Sequence, residues 1–452
     1  MHVAIAGSGY VGLITGACLA DFGHSVVCFD KNIHRIHALQ KGHPPFFEPG
    51  LEDLLKKAQN HSRLTATTDA SKAIPLADVV FIAVGTPETP QGDADTSAVF
   101  EVVEEIAPLM KQGSFLVLKS TVPIGTNHHV CNTLQRLKRS DIQIISNPEF
   151  LREGAAIYDF MHPNRLIIGT SSEKATLTMK QLYAPLLKKG VSLQITDPET
   201  AETIKYAANS FLALKITFIN QIANLCEKTG ADIREVARGM GSDERIGPAF
   251  LAPGPGYGGS CFPKDTRALL AAAKKRDVDL SLIESAIRAN DFQKQHMVQK
   301  ICKALHSEVQ GKTLGIWGLT FKAHTDDIRE SPALDIVGHL LDRGALLNLF
   351  DPQAPAQLKD KLENATFMDD PYSVAIQADA LIILTEWPLF QELDLSKIKK
   401  VMRTPLIIDL RNLLEKHDVM SQGLSYLGLG QGKVAAPKAK DTPASPFLKV
   451  KI

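Results

Sequence analysis

The sequence predicts an α/β protein made of two doubly wound domains joined by a long central helix. Three observations carry this expectation. Short, continuous β-branched runs alternate with helical stretches over residues 1–197, as in strands covered on both faces. Residues 198–230 then form one uninterrupted helical pattern, apolar on nearly every side. After it the strand–helix alternation resumes. A chain of 452 residues is too long for one ordinary core and fits such a division.

In the first part HVAIAG, SVVCFD, DVVFIAVG, SFLVLKST, IQIISNPEF and RLIIGT read as strands, with helices between them, which predicts a parallel sheet. The long helix has Asp197 as N-cap, Pro198 at its first position and Gly230 as its stop. At 1.5 Å per residue it spans about 45 Å. Its all-round apolarity predicts burial between domains or against a second chain. A second helical region is expected around residues 265–306. KTLGIWGLTF then reads as strand and turn, SPALDIVGHLLDRG as helix and ALLNLFD as strand, ending in Asp351 as the first unit ends in Asp30. ALIILTEW and PLIIDLRN add further strands. The expected boundaries are 1–197, 198–308 (helical and dimerising, with the cysteine loop), 309–430, and a Gly-, Pro-, Lys- and Ala-rich tail, 431–452, expected to be disordered.

Composition excludes several classes. Apolar residues make up 44% and charged residues 22%, the balance of a globular protein. Fifty basic and fifty acidic residues leave no net charge to attract nucleic acid or an anionic membrane, although a local basic pocket is still allowed. The six cysteines, Cys18, Cys28, Cys131, Cys226, Cys261 and Cys302, are sparse and form no C-x-x-C, which argues against a disulfide framework or a zinc or other metal site. Neither a signal-peptide layout nor an apolar run of membrane-spanning length is present, so a reduced, cytoplasmic protein is expected.

Gly7-Ser8-Gly9-Tyr10-Val11-Gly12 fits G-x-G-x-x-G between a strand and a helix, and Asp30 ends the next strand. That context is the dinucleotide fingerprint of a Rossmann-like domain. Gly7 permits the tight turn, Gly9 lets backbone approach a pyrophosphate, and Gly12 allows close helix packing. The helix N-terminus favours phosphate. Asp30 favours NAD over its 2′-phosphorylated form, a preference softened by Lys31 and Arg35. Gly85-Thr86-Pro87 and Ser120-Thr121-Val122-Pro123 follow strands, at the edge where open sheets bind ligands, so cofactor contacts are expected there. The second unit keeps Gly315 and Gly318 but has Phe321-Lys322 in place of a third glycine. It reads as a related sheet with a different ligand, or as a purely structural repeat.

The segment GPAFLAPGPGYGGSCFPKD places Cys261 after Gly247, Gly254, Gly256, Gly258 and Gly259 and before Lys264-Asp265. A backbone without side chains suits a ligand pressed against it. Lys264 would favour a thiolate, and Asp265 would oppose it or hold a water or a lysine. A thiolate attacks carbonyls, so covalent catalysis follows. The competing reading is a small residue buried at a domain junction. Lys205 and Asn209, at i and i+4, share a face of the long helix and suit an oxyanion, unless Lys205 lies at a solvated helix end. Glu149, in NPEFLREG after a strand, is either a general base or a solvated turn carboxylate.

Together GSGYVGL, FFEPGL, STVPIGT, NPEFLREGAAIYDFMHPNRLIIG, TAETIKYAANSFLALKITFINQIA, GYGGSCFPKD and GLTFKAHTDDIRESPAL resemble the nucleotide-sugar 6-dehydrogenases, in order and over residues 1 to about 430. The resemblance implies oxidation of C6 of UDP-glucose twice, with two NAD and one water, through a thiohemiacetal and a thioester on Cys261. It gives Lys205 and Asn209 the oxyanion, Thr121 and Asp265 the water, and Glu149 a proton-accepting role. Tyr10, Val11, Glu153, Lys264 and Arg329 join the glycine turn on the cofactor side. Phe150, Leu151 and Glu153 from the NPEFLREG loop belong to the UDP-sugar side. So do Phe250, Leu251, Tyr257 and Gly258 from the glycine-rich segment, and Phe321 and Lys322 from the second domain. Arg245 reaches in from a neighbouring subunit of a homodimer. The product could supply a polysaccharide, a lipid modification or other sugars. Departures are small: Ser8 for a threonine, Phe47 for a tyrosine, and Ala323-His324 in a loop that usually carries Pro and Asn. The rival readings are a GDP-mannose enzyme of the same mechanism, a non-catalytic nucleotide-sugar sensor, and a one-step dehydrogenase in which Cys261 has no task.

Overall fold

A computed structural model describes residues 1–306 and 308–431 of the chain. Apart from residue 431, the tail lies outside the described residues.

Two sheets form the frame. The first has eight strands in the order β3-β2-β1-β4-β5-β6-β7-β8. These are β1 (His2–Ala6), β2 (Ser25–Phe29), β3 (Leu64–Thr67), β4 (Val79–Ile82), β5 (Phe115–Leu118), β6 (Gln143–Ser146), β7 (Arg165–Gly169) and β8 (Ser192–Thr196). All neighbours pair in parallel except β6 and β7, which meet antiparallel at Ser146 and Gly169, so the wholly parallel expectation needs that correction. The reversal has a consequence. It brings Arg165, at the start of β7, to the edge where β6 ends.

The second sheet runs β11-β10-β9-β12-β13-β14 and is all parallel. Its strands are β9 (Thr313–Trp317), β10 (Leu346–Phe350), β11 (Ala365–Phe367), β12 (Ala380–Ile383), β13 (Leu406–Asp409) and β14 (Ser425–Gly428). Each sheet changes winding direction at its middle, between β1 and β4 and between β9 and β12, and the crevice there is where open α/β sheets take ligands. Apolar cores lie on both faces of the first sheet, one around Ile5, Leu13 and Phe81 and the other around Val80, Ile82 and Leu116.

The central helix, Pro198–Thr229, begins and ends as expected. The Asp197 carboxylate accepts the Thr200 N–H at 2.7 Å, and Gly230 closes the helix at φ +87°. Its first half packs on β7, and Ile219, Ala223 and Cys226 in its second half belong to the core of the second sheet. One helix thereby fixes both sheets. It is not buried all round. Phe211, Phe218 and Leu225, seven residues apart, are 60%, 44% and 55% exposed, and Leu282 and Phe292 of a neighbouring helix are exposed as well.

The expected helical region over 265–306 consists of two helices, Phe262–Lys274 and Ser281–Ala304. Asp277 adopts φ +55° and the Val278 N–H returns to Ala273 O at 3.0 Å, a closure that ends the first helix. No helix among the described residues is long and apolar enough to cross a membrane.

Candidate active site

The glycine turn after β1 has the geometry a dinucleotide requires. Gly7 has φ +100°, and a Cβ there would lie 2.7 Å from Ala83 O. A Cβ on Gly12 would lie 1.9 Å from Gly7 O, so only glycine lets the helix Tyr10–Asp21 start so close to the strand. Gly9 has nothing within 4 Å and leaves its backbone open. Asp30 accepts the Ser8 N–H at 2.7 Å and the Asn32 N–H at 2.8 Å, with Arg35 at 3.4 Å. The adjoining cavity, about 190 Å³, is lined by Gly7, Gly9, Asp30, Lys31, Arg35 and Val84 among others, and the Ser8 hydroxyl is buried without a protein partner. An open backbone, a helix N-terminus and a ribose-sized acidic corner fit an NAD-type cofactor. Lys31 belongs less to Asp30 than expected, since its ammonium pairs with Glu105 at 3.1 Å. Thr86 donates its hydroxyl to Thr121 O at 2.8 Å and so ties the two expected cofactor turns together, while Pro87 is exposed.

The equivalent acid of the second sheet is used up internally. Asp351 Oδ2 accepts the N–H groups of Leu319 and Thr320 at 2.7 and 3.0 Å, the Thr320 hydroxyl at 3.0 Å and Trp387 Nε1 at 3.2 Å. Such a carboxylate has little capacity left for a ribose, which explains physically why this half departs from the dinucleotide pattern.

At the tip of β6 stands a buried ion pair. Lys205 Nζ lies 2.8 Å from Glu149 Oε1, with side chains 4% and 5% exposed. Neither residue is solvated, and the two bland readings of Lys205 and Glu149 are excluded. Glu149 Oε2 also accepts the Leu151 N–H. Burial alone would raise the Glu149 carboxyl, but Lys205 and this hydrogen bond more than offset it and hold the group below its ordinary range. Burial likewise disfavours the Lys205 ammonium, yet Glu149, Cys261 and Asp265 keep its pKa raised. Phe150 lies between two cations, with Arg165 3.9 Å and Lys205 5.5 Å from its ring centre.

One turn further along the long helix, Asn209 Nδ2 donates to Asp265 Oδ2 at 2.6 Å, and Lys264 Nζ holds Asp265 Oδ1 at 2.6 Å. Cys261 caps the helix Phe262–Lys274. The cation acting most strongly on its thiol is Lys205, and Lys264, expected in that task, is engaged by Asp265 instead. The expected thiolate is also corrected. Burial, reinforced by Glu149 and Asp265, outweighs Lys205 and pushes the thiol up to about 11.

The glycines before Cys261 accommodate protein. A Cβ on Gly258 would lie 2.1 Å from Glu330 O, and one on Gly259 would lie 2.8 Å from the Phe321 ring. Their bareness, read from sequence as room for a ligand, lets the segment 321–332 of the second domain close on the cysteine loop. Beside it Phe250 (φ +64°) and Tyr257 have rings 6.0 and 6.3 Å from Phe262, and Leu251 is buried.

Between NPEFLREG and this segment lies a cavity of about 260 Å³ lined by Arg152, Glu153, Gly154, Lys322, His324 and Glu386. The Glu153 carboxyl, raised to about 7 by burial and by Asp327, accepts the Ser260 hydroxyl at 2.9 Å and lies 3.5 Å from Arg329. Arg329 is also paired with Asp327 at 2.7 Å. Burial lowers the Lys322 pKa, and no carboxylate pairs with its ammonium among the described residues. Arg245 stands in solvent, 87% exposed and paired with Asp243, so this chain alone does not bring it to the pocket.

Several buried charges at the site carry no recognised motif role. Glu48 accepts the Gly154 and Ala156 N–H groups, each at 2.7 Å, and the Tyr10 hydroxyl. Arg411 donates to Leu384 O and Phe321 O at 2.8 and 3.0 Å. Glu202 accepts the Gly125 and Asn127 N–H groups at 2.6 and 3.0 Å. Lys119 reaches Asn147 Oδ1 at 3.2 Å. For Lys119 the signal available in sequence was a charge directly after an apolar strand, FLVLK.

Comparison with known proteins agrees with this assembly. Models of the UDP-glucose/GDP-mannose dehydrogenase family match in three consecutive parts: the NAD binding domain over residues 1–187, the central domain over 199–292 and the UDP binding domain over 315–416. A UDP-glucose 6-dehydrogenase of Rhizobium meliloti is 46% identical over 435 residues, 95% of this chain and all of that one. The UDP-glucose dehydrogenase structure from Pyrobaculum islandicum superposes with a TM-score of 0.85 at 33% identity, covering 95% of this chain and 98% of that one. A UDP-D-ManNAc dehydrogenase from Pyrococcus horikoshii reaches 0.84 at 28% identity, covering 96% and 100%.

Proposed function

This chain belongs to the UDP-glucose/GDP-mannose dehydrogenase family, NAD-dependent oxidoreductases, and from that premise we propose that it oxidises C6 of UDP-glucose to the carboxylate through a covalent bond to Cys261. The observation that carries the proposal is one cysteine at a helix N-terminus, with the buried Lys205–Glu149 pair and the Asn209–Asp265 pair gathered about it.

NAD bound at the glycine turn supplies the hydride acceptor for both oxidations. In the first, C6 loses a hydride and its hydroxyl proton, with Glu149 as proton acceptor through Lys205 Nζ, and an aldehyde results. Sγ then forms a bond to C6 while the thiol proton passes to the carbonyl oxygen. Lys205 and Asn209 hold the negative charge that develops there. Loss of a second hydride and of the new hydroxyl proton gives a thioester. Water placed by Thr121 and Asp265 adds to the acyl carbon, the C–S bond breaks, and the carboxylate leaves. One alcohol, one water and two NAD thus give one carboxylate, two NADH and three protons. A thiol at about 11 suits this order, because Cys261 need not be anionic before the aldehyde exists. Lys322 and Arg411 bound the side that receives the nucleotide diphosphate, and a second copy of the chain covers the exposed stripe of the long helix and contributes Arg245.

NADH formation from UDP-glucose, GDP-mannose and UDP-N-acetylmannosamine tests the substrate. Turnover with UDP-glucose at least tenfold above either competitor is expected. Preference for another sugar nucleotide would keep the chemistry and overturn the substrate.

A further inference from the structure

The reaction outlined above leaves one buried cation without a task. Lys119 directly follows β5, is 4% exposed, and lies one step beyond the paired residues Leu118 and Ser146. Its ammonium, with three protons to donate, reaches Asn147 Oδ1 at 3.2 Å. That oxygen already accepts the Tyr183 hydroxyl at 2.7 Å, and the Asn147 amide donates to Ile167 O at 2.8 Å. No carboxylate pairs directly with Lys119 among the described residues; burial, helped by Lys205, pulls its pKa down to about 8 against the pull of Glu149. Such a group is costly unless its charge is used.

The charged groups around it say where the charge acts. Glu149 follows Asn147 by two residues on the same tip, and Lys205 faces Glu149 from the long helix. Beyond Lys205 stand Cys261 and Asp265 on the next helix. Tyr183 meets Asn147 from the helical side of the sheet. One carboxylate, Glu149, therefore lies among two buried lysines, and the two lysines oppose each other.

We infer that Lys119 is a positioning residue for the proton-accepting pair: its ammonium, fixed by Asn147, adds to Lys205 in keeping Glu149 ionised. When Glu149 takes up the hydroxyl proton during oxidation, the two lysines are left opposing each other, which favours release of that proton. The inference rests on the role proposed for Glu149 and is separable from it.

The test is the pH profile of kcat for wild type, Lys119→Met and Lys119→Gln, with KM for UDP-glucose and circular dichroism measured in parallel. Removing the cation raises the Glu149 pKa, so the acid limb of kcat moves to higher pH by about one unit, and kcat on that limb falls about tenfold. KM stays near the wild-type value. Lys119→Gln keeps a donor for Asn147 without charge, and it should shift the limb as Lys119→Met does. If both variants fold and keep the wild-type limb, the inference is wrong. If Lys119→Gln alone keeps it, the hydrogen bond to Asn147 is what matters and the electrostatic role is overturned. If wild type itself shows no acid limb, or Glu149→Gln retains full kcat, the role of Glu149 fails first.

Discussion

Cys261 is under opposing influences: Lys205 and the helix N-terminus favour the anion, while burial, Glu149 and Asp265 favour the thiol. Because the second set wins, alkylation of Cys261 should be slow at pH 7 and accelerate about tenfold per pH unit as the thiol titrates toward 11. Peptide mass spectrometry after timed iodoacetamide exposure reads this directly. A fast, pH-independent reaction would mean a preformed thiolate. Lys205→Met leaves Glu149 buried without its partner and should cost about 3–5 kcal/mol in urea unfolding, together with a loss of turnover of roughly 10² or more. Glu202 makes a different prediction. Its carboxyl is buried and raised to about 7, so folding favours its neutral form. The cost of its charge is absent below the ordinary carboxylate range and fully present above about pH 7. Relative to Glu202→Gln, wild type should therefore lose on the order of 3 kcal/mol as pH rises through that window, read as unfolding midpoints at pH 4.5 and 7.5.

At the scale of elements, the strands foreseen from sequence are the inner ones. The four that escaped are β3, β8, β11 and β14, the two edges of each sheet. Inner strands are covered on both faces and read as unbroken apolar runs, whereas edge strands such as LTAT and SLQIT are half exposed and carry polar residues. The site shows the same division. Lys205, Glu149, Asn209 and Asp265 stand together near Cys261, and a glycine turn or a cysteine among glycines leaves a local signature in sequence. Which lysine faces the thiol depended on helix-to-helix packing: Lys264 precedes Asp265 in sequence and is captured by it, while Lys205 arrives from residues far upstream. The purpose of Gly258 was also hidden, because Glu330 O, which requires it, belongs to another domain. Gly258→Ala should shift the 321–332 segment and destabilise the fold by about 1–3 kcal/mol in a denaturant titration, with a larger effect on KM for the nucleotide sugar than on KM for NAD.

For the whole molecule, one helix serves both sheets, and its outward stripe of Phe211, Phe218 and Leu225 is exposed, the face that the proposed dimer would cover. Phe218→Glu should convert a dimer to monomers in sedimentation velocity, and activity should fall with it if Arg245 completes the neighbouring pocket. A variant that stays dimeric would place the interface elsewhere. In the proposed reaction a single site performs two oxidations because Cys261 retains the intermediate. The most direct test is the ratio of NADH formed to UDP-glucose consumed, for wild type and Cys261→Ser. The account predicts two NADH per UDP-glucose for wild type and loss of steady-state turnover in the variant. A ratio of one, or a Cys261→Ser enzyme that turns over like wild type, would contradict it.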